Sequence, residues 1–163
     1  MNSARDSLTL EKIGGRLIYD RAVGKFYWTC GRRKGFEAGG FNAYGYRVIV
    51  IDAVAFQVHR LVWFYEHGAM PKNQIDHING NRSDNRIENL REATPAQNMQ
   101  NRRTARKGSP SKLIGVVKPA RGRCFATISF NGKRVYLGKF DTPEEAHEAY
   151  LKAKRELHEF CTI

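Results

Sequence analysis

No stretch of this chain longer than nine residues is free of Asp, Glu, Lys and Arg. A membrane-spanning helix or the apolar core of a secretion signal is therefore not expected, and the sequence reads as soluble, intracellular and cytoplasmic. Cysteine is scarce too: Cys30, Cys124 and Cys161 are far apart and odd in number, which excludes a disulfide framework and supplies no Cys-x-x-Cys zinc pair. Acid is the third deficit. Against 28 Lys and Arg stand only 16 Asp and Glu, a net charge of +12 that calls for a polyanionic partner. At 163 residues there is room for one ordinary domain or two small ones.

The shortage of acid is uneven. Residues 102–139 contain eleven basic side chains and no acidic one, whereas 141–160 contain six acids and three bases. One segment is thus suited to phosphate and the next is turned away from it. Val116, Phe125, Ile128, Phe130, Tyr136 and Phe140 are interspersed among the bases, more apolar content than a disordered basic tail carries.

Along the chain, 13–55 reads as a small β region of short strands punctuated by glycine, with the alternating run Tyr46-Arg47-Val48-Ile49-Val50-Ile51 as its clearest member. Val58, Leu61, Val62 and Tyr65 then follow helical spacing up to Gly68 and Pro71, predicting a helix over 56–67. Residues 74–77 and a segment near Asn89-Leu90-Arg91 read as two strands joined by an Asn-Gly turn and a polar loop. Thr94-Pro95-Ala96-Gln97 opens a helix with N-cap, N1 proline and capping-box residue in register. Residues 102–113 have the composition of a basic linker. Beyond it, 114–118, 123–130 and 133–140 read as strands, the last two joined by Asn131-Gly132, and Thr142-Pro143-Glu144-Glu145 opens a final helix. The expected fold class is α+β. Its expected domains are 1–101, containing the β region, the helix and a hairpin-helix at 74–101, and 114–163, a three-stranded antiparallel sheet packed on one helix. Strand parity turns Cys124, Ala126, Ile128, Val135 and Leu137 toward that helix and leaves Phe125, Thr127, Ser129, Arg134 and Tyr136 on the open face.

Asp76 and His77 are adjacent, Asn89 lies twelve residues after His77, and Asn98 nine after that. Hydrolysis of a phosphodiester needs a base for water, a cation for the charge of the phosphorane, and help for the departing oxygen. His77 suits the first task, because an imidazole is largely neutral at physiological pH. Asp76 and Asn98 offer hard oxygen donors suited to one divalent ion, Mg²⁺ or Mn²⁺, that keeps its waters and takes a phosphate oxygen. A Ca²⁺ loop over 79–85 fails, since counting from Asp76 or Asn79 puts Ile78, Gly80 or Leu90 at ligand positions. His59, at the start of the helix, is read either as a contact to phosphate or the active-site loop, or as structural.

The series Val58-His59-Arg60-Leu61-Val62, Asp76-His77-Ile78-Asn79-Gly80-Asn81-Arg82, Asp84-Asn85-Arg86, Glu88-Asn89-Leu90-Arg91 and Asn98 resembles the HNH homing endonucleases of phages and introns, whose core is a ββα-metal hairpin-helix. The resemblance implies that His77 is the general base, that Asp76 and Asn98 hold the metal, and that Asn89 fixes the loop and the imidazole. Arg82 and Arg86 are then placed to reach the scissile phosphate. Asn81, Asp84, Asn85 and Arg86 are expected to knit the loop through bonds to backbone.

The C-terminal part, through Gly115-Val116, Phe125-Ala126, Gly132-Lys133, Leu137-Gly138, Phe140, Glu144-Glu145-Ala146 and Ala149-Tyr150, resembles the APETALA2-type DNA-binding domain. That family lays its sheet in the major groove. The resemblance implies that Arg134 and Tyr136 touch DNA, while Val117, Thr127 and Ser129 depart from it, so Lys118, Arg121 and Arg123 are candidate substitutes. Arg102, Arg103, Arg106 and Lys107 supply the arm. The expected partner is double-stranded DNA, bound by a monomer or dimer. A non-catalytic DNA-binding regulator is the rival expectation.

Overall fold

The computed structural model describes residues 9–119 and 121–163, which fall into two compact units divided between Thr94 and Pro95. In the first, a short helix α1 (Leu10–Gly14) precedes the hairpin β1 (Leu17–Asp20) and β2 (Lys25–Trp28). Three antiparallel strands follow in the order β3 (Gly40–Phe41), β4 (Arg47–Ile51), β5 (Val54–Gln57). Along β4 the alternation of the sequence becomes a two-sided strand, with Ile49 and Ile51 buried and Val50 exposed. Asp52 and Ala53, at φ 50° and 63°, make the left-handed two-residue turn that matches strand twist and returns the chain into β5.

Helix α2 is Val58–His67, two residues shorter at its start than the spacing predicts. Phe56 and Gln57 pair instead with Ile49 and Val48. The apolar spacing fits strand or helix at these two positions, and the β4 ladder decides in favour of the strand. Gly68, at φ 72°, ends the helix by donating its N–H to the Phe64 carbonyl at 2.8 Å. Val58, Leu61 and Val62 face a core with Ile13, Leu17, Phe26 and Ile49. The unit closes with the antiparallel pair β6 (Gln74–His77) and β7 (Leu90–Ala93), in which Asp76 sits opposite Arg91 and His77 opposite Leu90.

The second unit begins with helix α3 (Pro95–Gln100), so this helix clusters with the C-terminal residues rather than with the hairpin that feeds it. Its sheet has the order β10 (Lys133–Phe140), β9 (Cys124–Phe130), β8 (Val116–Val117), all antiparallel, and α4 (Pro143–Leu157) packs on it. The Thr142 hydroxyl caps α4 by accepting from the Glu145 N–H at 3.2 Å. Cys124, Ala126 and Ile128 meet Ala146, Tyr150 and Ala153 in the core, on the face that parity assigns them. Val135 lies opposite Ile128 but stays 37% exposed, because β10 is an edge strand. Leu137 is the extra residue of a bulge between the Tyr136–Thr127 and Gly138–Ala126 pairs. No helix among the described residues is long and apolar enough to cross a membrane.

One glycine in this unit is indispensable. Gly115 has φ 79°, and a Cβ there would stand 2.0 Å from Cδ2 of the buried Tyr150 ring. Gly115→Ala is expected to destabilise the unit by about 3 kcal/mol, through core overpacking and left-handed strain together. Gly108→Ala, at φ 84° with nothing within 4 Å, should lose only the strain, about 1 kcal/mol. Urea unfolding of the two variants checks the difference.

Candidate active site

The β6–β7 hairpin and the loop between its strands gather Asp76, His77 and Asn89, all buried. The loop is held by its own polar side chains. Asn79 Oδ1 accepts from the Asn81 N–H, and Asn81 Oδ1 from the N–H and hydroxyl of Ser83, so local turns replace regular structure. Asn89 fastens the two ends: its Oδ1 accepts from the Asn79 N–H at 2.9 Å and its Nδ2 donates to the Asp84 carbonyl at 2.8 Å.

Asn89 therefore fixes the loop, but the bond expected from it to the imidazole is made by Asn85 instead. Asn85 Nδ2 donates to the Ser83 carbonyl at 3.3 Å, which turns Oδ1 to His77 Nε2 at 3.2 Å. The network thereby assigns the proton to Nε2 and the basic lone pair to Nδ1. Asn85 is 1% exposed, and its own carbonyl accepts from the Tyr19 hydroxyl at 3.0 Å. Burial pushes that phenol well above its usual range, helped by Glu66 and Glu88, and keeps it a donor. The β1–β2 turn braces the same point, since a Cβ on Gly24 would stand 2.4 Å from the Arg86 nitrogen.

Burial also lowers the pKa of His77 below the ordinary histidine value, against the raising effects of the Asn85 bond and the Asp76 and Asp84 charges. The imidazole is thus kept in its neutral, proton-accepting form, as a somewhat weaker base than an exposed histidine. Its ring lies against His59, edge to face at 5.2 Å between centroids, and 6.1 Å from Tyr46. His59 is 5% exposed, and its Nδ1 has no hydrogen-bond partner among the described residues. Desolvation, with the nearby His77 and Arg60, takes its pKa down to about 3. His59 is consequently a neutral wall of the site, the structural alternative of the two readings.

Asp76 accepts two bonds from Arg91 on one oxygen, Oδ2, from Nε at 3.0 Å and Nη2 at 2.8 Å. This cross-strand pair fixes the carboxylate plane. Arg91 escaped the sequence reading, although pairing Asp76 with its opposite number across the hairpin would have found it. A buried, oriented carboxylate is a hard oxygen donor of the kind a divalent cation takes. Asn98, the other expected ligand, is half-buried in α3 of the second unit.

The two expected phosphate contacts in the loop differ. Arg86 is forked onto Asp84, Nε to Oδ1 at 2.8 Å and Nη2 to Oδ2 at 2.7 Å, and this bonding takes the Asp84 pKa down to about 2. Its guanidinium is occupied in shaping the loop. Arg82 donates to the Tyr44 carbonyl at 2.7 Å and lies over the Tyr46 ring at 5.0 Å, beside the histidines. In the second unit Arg106, Lys107, Lys118, Arg121, Arg134 and Tyr136 are exposed. Arg123 pairs with Asp141 at 2.8 Å. Arg102 and Arg103 donate to Thr104 and Thr162, and Lys154, fully buried, donates to the Arg102 carbonyl. The first residues of the expected linker are thus tied into the unit.

Comparison with known proteins matches residues 56–100 to the model of the family described as HNH endonuclease. The chain is 30% identical over 137 residues to an uncharacterized HNH endonuclease, L560, of Acanthamoeba polyphaga mimivirus, a match covering 83% of this chain and 64% of that protein. It is 34% identical over 102 residues to Protein 3.8 of Escherichia phage T7, covering 61% of this chain and 83% of that one. The chain therefore spans just under two thirds of the length of the mimivirus relative. No solved structure matches it.

Proposed function

The chain belongs to the HNH family of DNA endonucleases, and from that premise we propose that it is a metal-dependent, site-specific nuclease of the homing type. It hydrolyses phosphodiester bonds of duplex DNA to 5′-phosphate and 3′-hydroxyl ends. The observation that carries this reading is the buried, neutral His77 held through Nε2 by Asn85, one residue from the oriented carboxylate of Asp76.

His77 Nδ1 takes a proton from water as its oxygen attacks phosphorus, and the P–O3′ bond breaks in line. Asn85 holds the ring in the tautomer that can do this, and Asn89 holds the loop that carries Asn85. Arg91 keeps the Asp76 carboxylate in one orientation. Asp76 and Asn98 would hold the divalent ion, Mg²⁺ or Mn²⁺, one to a site, and the chemistry it supplies when bound is neutralisation of the phosphorane and of the departing 3′ oxygen. Arg82 is the loop cation placed to meet the scissile phosphate. A supercoiled plasmid incubated with the protein and Mg²⁺ should be converted to open circle, and EDTA should abolish the conversion. Binding without cutting under every divalent ion would overturn the reading in favour of a DNA-binding regulator.

The second unit positions the nuclease on duplex DNA, in the manner of the APETALA2-type sheet, through the exposed cations Arg106, Lys107, Lys118, Arg121 and Arg134 together with Tyr136. Those five cations and Arg82, on six phosphates, give a log-log salt slope of about −5.4. Replacing Arg106 and Lys107 together by alanine should bring the slope to about −3.6, measured by fluorescence anisotropy across a salt series. A slope near zero for the unaltered protein would remove these residues from the phosphate contact.

A further inference from the structure

The mechanism leaves the β3–β4 hairpin unused, yet its tip is built with more care than a connection needs. Asn42 Oδ1 accepts from the N–H groups of both Tyr44 and Tyr46, at 2.9 and 3.1 Å, while the Asn42 carbonyl accepts from the Gly45 N–H at 3.0 Å. Gly45 supplies the left-handed residue, φ 78°. Every one of these bonds uses the backbone of Tyr44, Gly45 or Tyr46, so the turn has no need of a tyrosine at 44. The side chain there is nevertheless aromatic and 73% exposed. A large ring held in water by a stiff turn adds nothing to the core.

Its surroundings say what it meets. The Tyr44 carbonyl accepts from Arg82, whose guanidinium covers the Tyr46 ring, and that ring lies 6.1 Å from the His77 imidazole. On the same hairpin Phe41 is 60% exposed with the Arg47 guanidinium, itself paired with Glu37 at 3.0 Å, 5.2 Å above its ring. No carboxylate occurs between Glu37 and Asp52. Exposed rings accompanied by guanidinium groups suit stacked bases flanked by phosphate, and the Tyr46 ring beside His77 sets the hairpin that carries them next to the bond that is cut.

We propose that Tyr44 is a wedge, inserted between adjacent base pairs of the DNA at the cleavage site. The inference rests on the nuclease reading and deepens it. Insertion untwists and kinks the duplex, which spreads the backbone at that step, and the bond from Arg82 to the Tyr44 carbonyl couples the position of the wedge to that of the catalytic loop.

The test separates insertion from cutting. The cleavage-silent His77→Ala protein is bound to closed circular plasmid in EDTA, and the DNA is relaxed with a topoisomerase that needs no metal. The linking number should fall in proportion to bound protein. The fall should persist in His77→Ala/Tyr44→Phe, which keeps the ring, and vanish in His77→Ala/Tyr44→Ala although gel shift shows the DNA still bound. On the active background Tyr44→Ala should lower kcat/KM for nicking about tenfold, the equivalent of one lost base stack. An unchanged linking number at saturation, or an equal fall with Tyr44→Ala, overturns the wedge. Failure of the unaltered protein to nick the same plasmid with Mg²⁺ overturns the nuclease reading instead, and the two failures are read from different lanes.

Discussion

His77→Ala is expected to lower the rate of DNA cleavage by about 10³-fold while leaving DNA affinity within a factor of two. General-base catalysis by one positioned imidazole accounts for a loss of that size, and all the exposed cations assigned to binding except Arg82 lie in a different unit. The side chain is 4% exposed among Asn85, His59 and Tyr46, so truncation also opens a cavity. Far-UV circular dichroism and an unchanged salt slope therefore accompany the rate measurement. Two asparagine variants sharpen the outcome. Asn85→Ala removes the group that selects the tautomer and should reduce kcat about 10- to 100-fold with little change in KM, as supporting bonds to catalytic histidines generally do. Asn89→Ala removes two bonds that close the loop, so its effect should appear in thermal stability as well as in rate. Equal cutting by His77→Ala and the unaltered protein would end the mechanism.

That Asn85 rather than Asn89 holds the imidazole illustrates where sequence reasoning stops. The hairpin and its residues were legible because the Asn-Gly turn is a local signal, although neither strand alternates: β6 buries Ile75, Asp76 and His77 in succession. Which loop side chain folds back onto His77 depends on the succession of turns through Asn79, Asn81 and Ser83, which has no period to count. The Arg91–Asp76 pair was within reach, since strand register alone places the two side by side. The start of α2 was not, because Phe56 fits both patterns until β4 is there to pair with it. Helix capping at Thr142 and the Asn131-Gly132 turn, each fixed by two or three neighbouring residues, were read correctly. Charge was legible in amount but not in use. Within the acid-free stretch Arg103, Arg123, Arg134 and Lys118 are all exposed, yet Arg102, Arg103 and Arg123 bond to groups of their own unit, which only three-dimensional contacts show.

Stability should fall steeply in mild acid, and His59 is the reason. In the unfolded chain this imidazole titrates near 6.5, whereas in the fold its pKa is about 3, chiefly through burial. Between those two values the unfolded state binds the extra proton, so stability rises with pH across the window and is lost as pH falls from about 6.5 toward 3. One such group changes the unfolding free energy by at most about 1.4 kcal/mol per pH unit, and the loss levels off once the folded form is also protonated. His77, shifted in the same direction by the same cause, steepens the upper part of the curve. Asp84 acts lower down: its folded pKa of about 2 against 3.8 gives a contribution that is present above pH 3.8 and lost as pH falls through 2, so it leaves the region above pH 4 to the histidines. Urea unfolding at half-unit steps from pH 7.5 to 4 measures the slope. His59→Phe keeps the aromatic packing against Tyr46 and His77 without a proton site, and His59→Gln keeps a polar group that cannot titrate. Both should flatten the curve by close to one proton, and if neither does, His59 is not the buried neutral wall that the site requires.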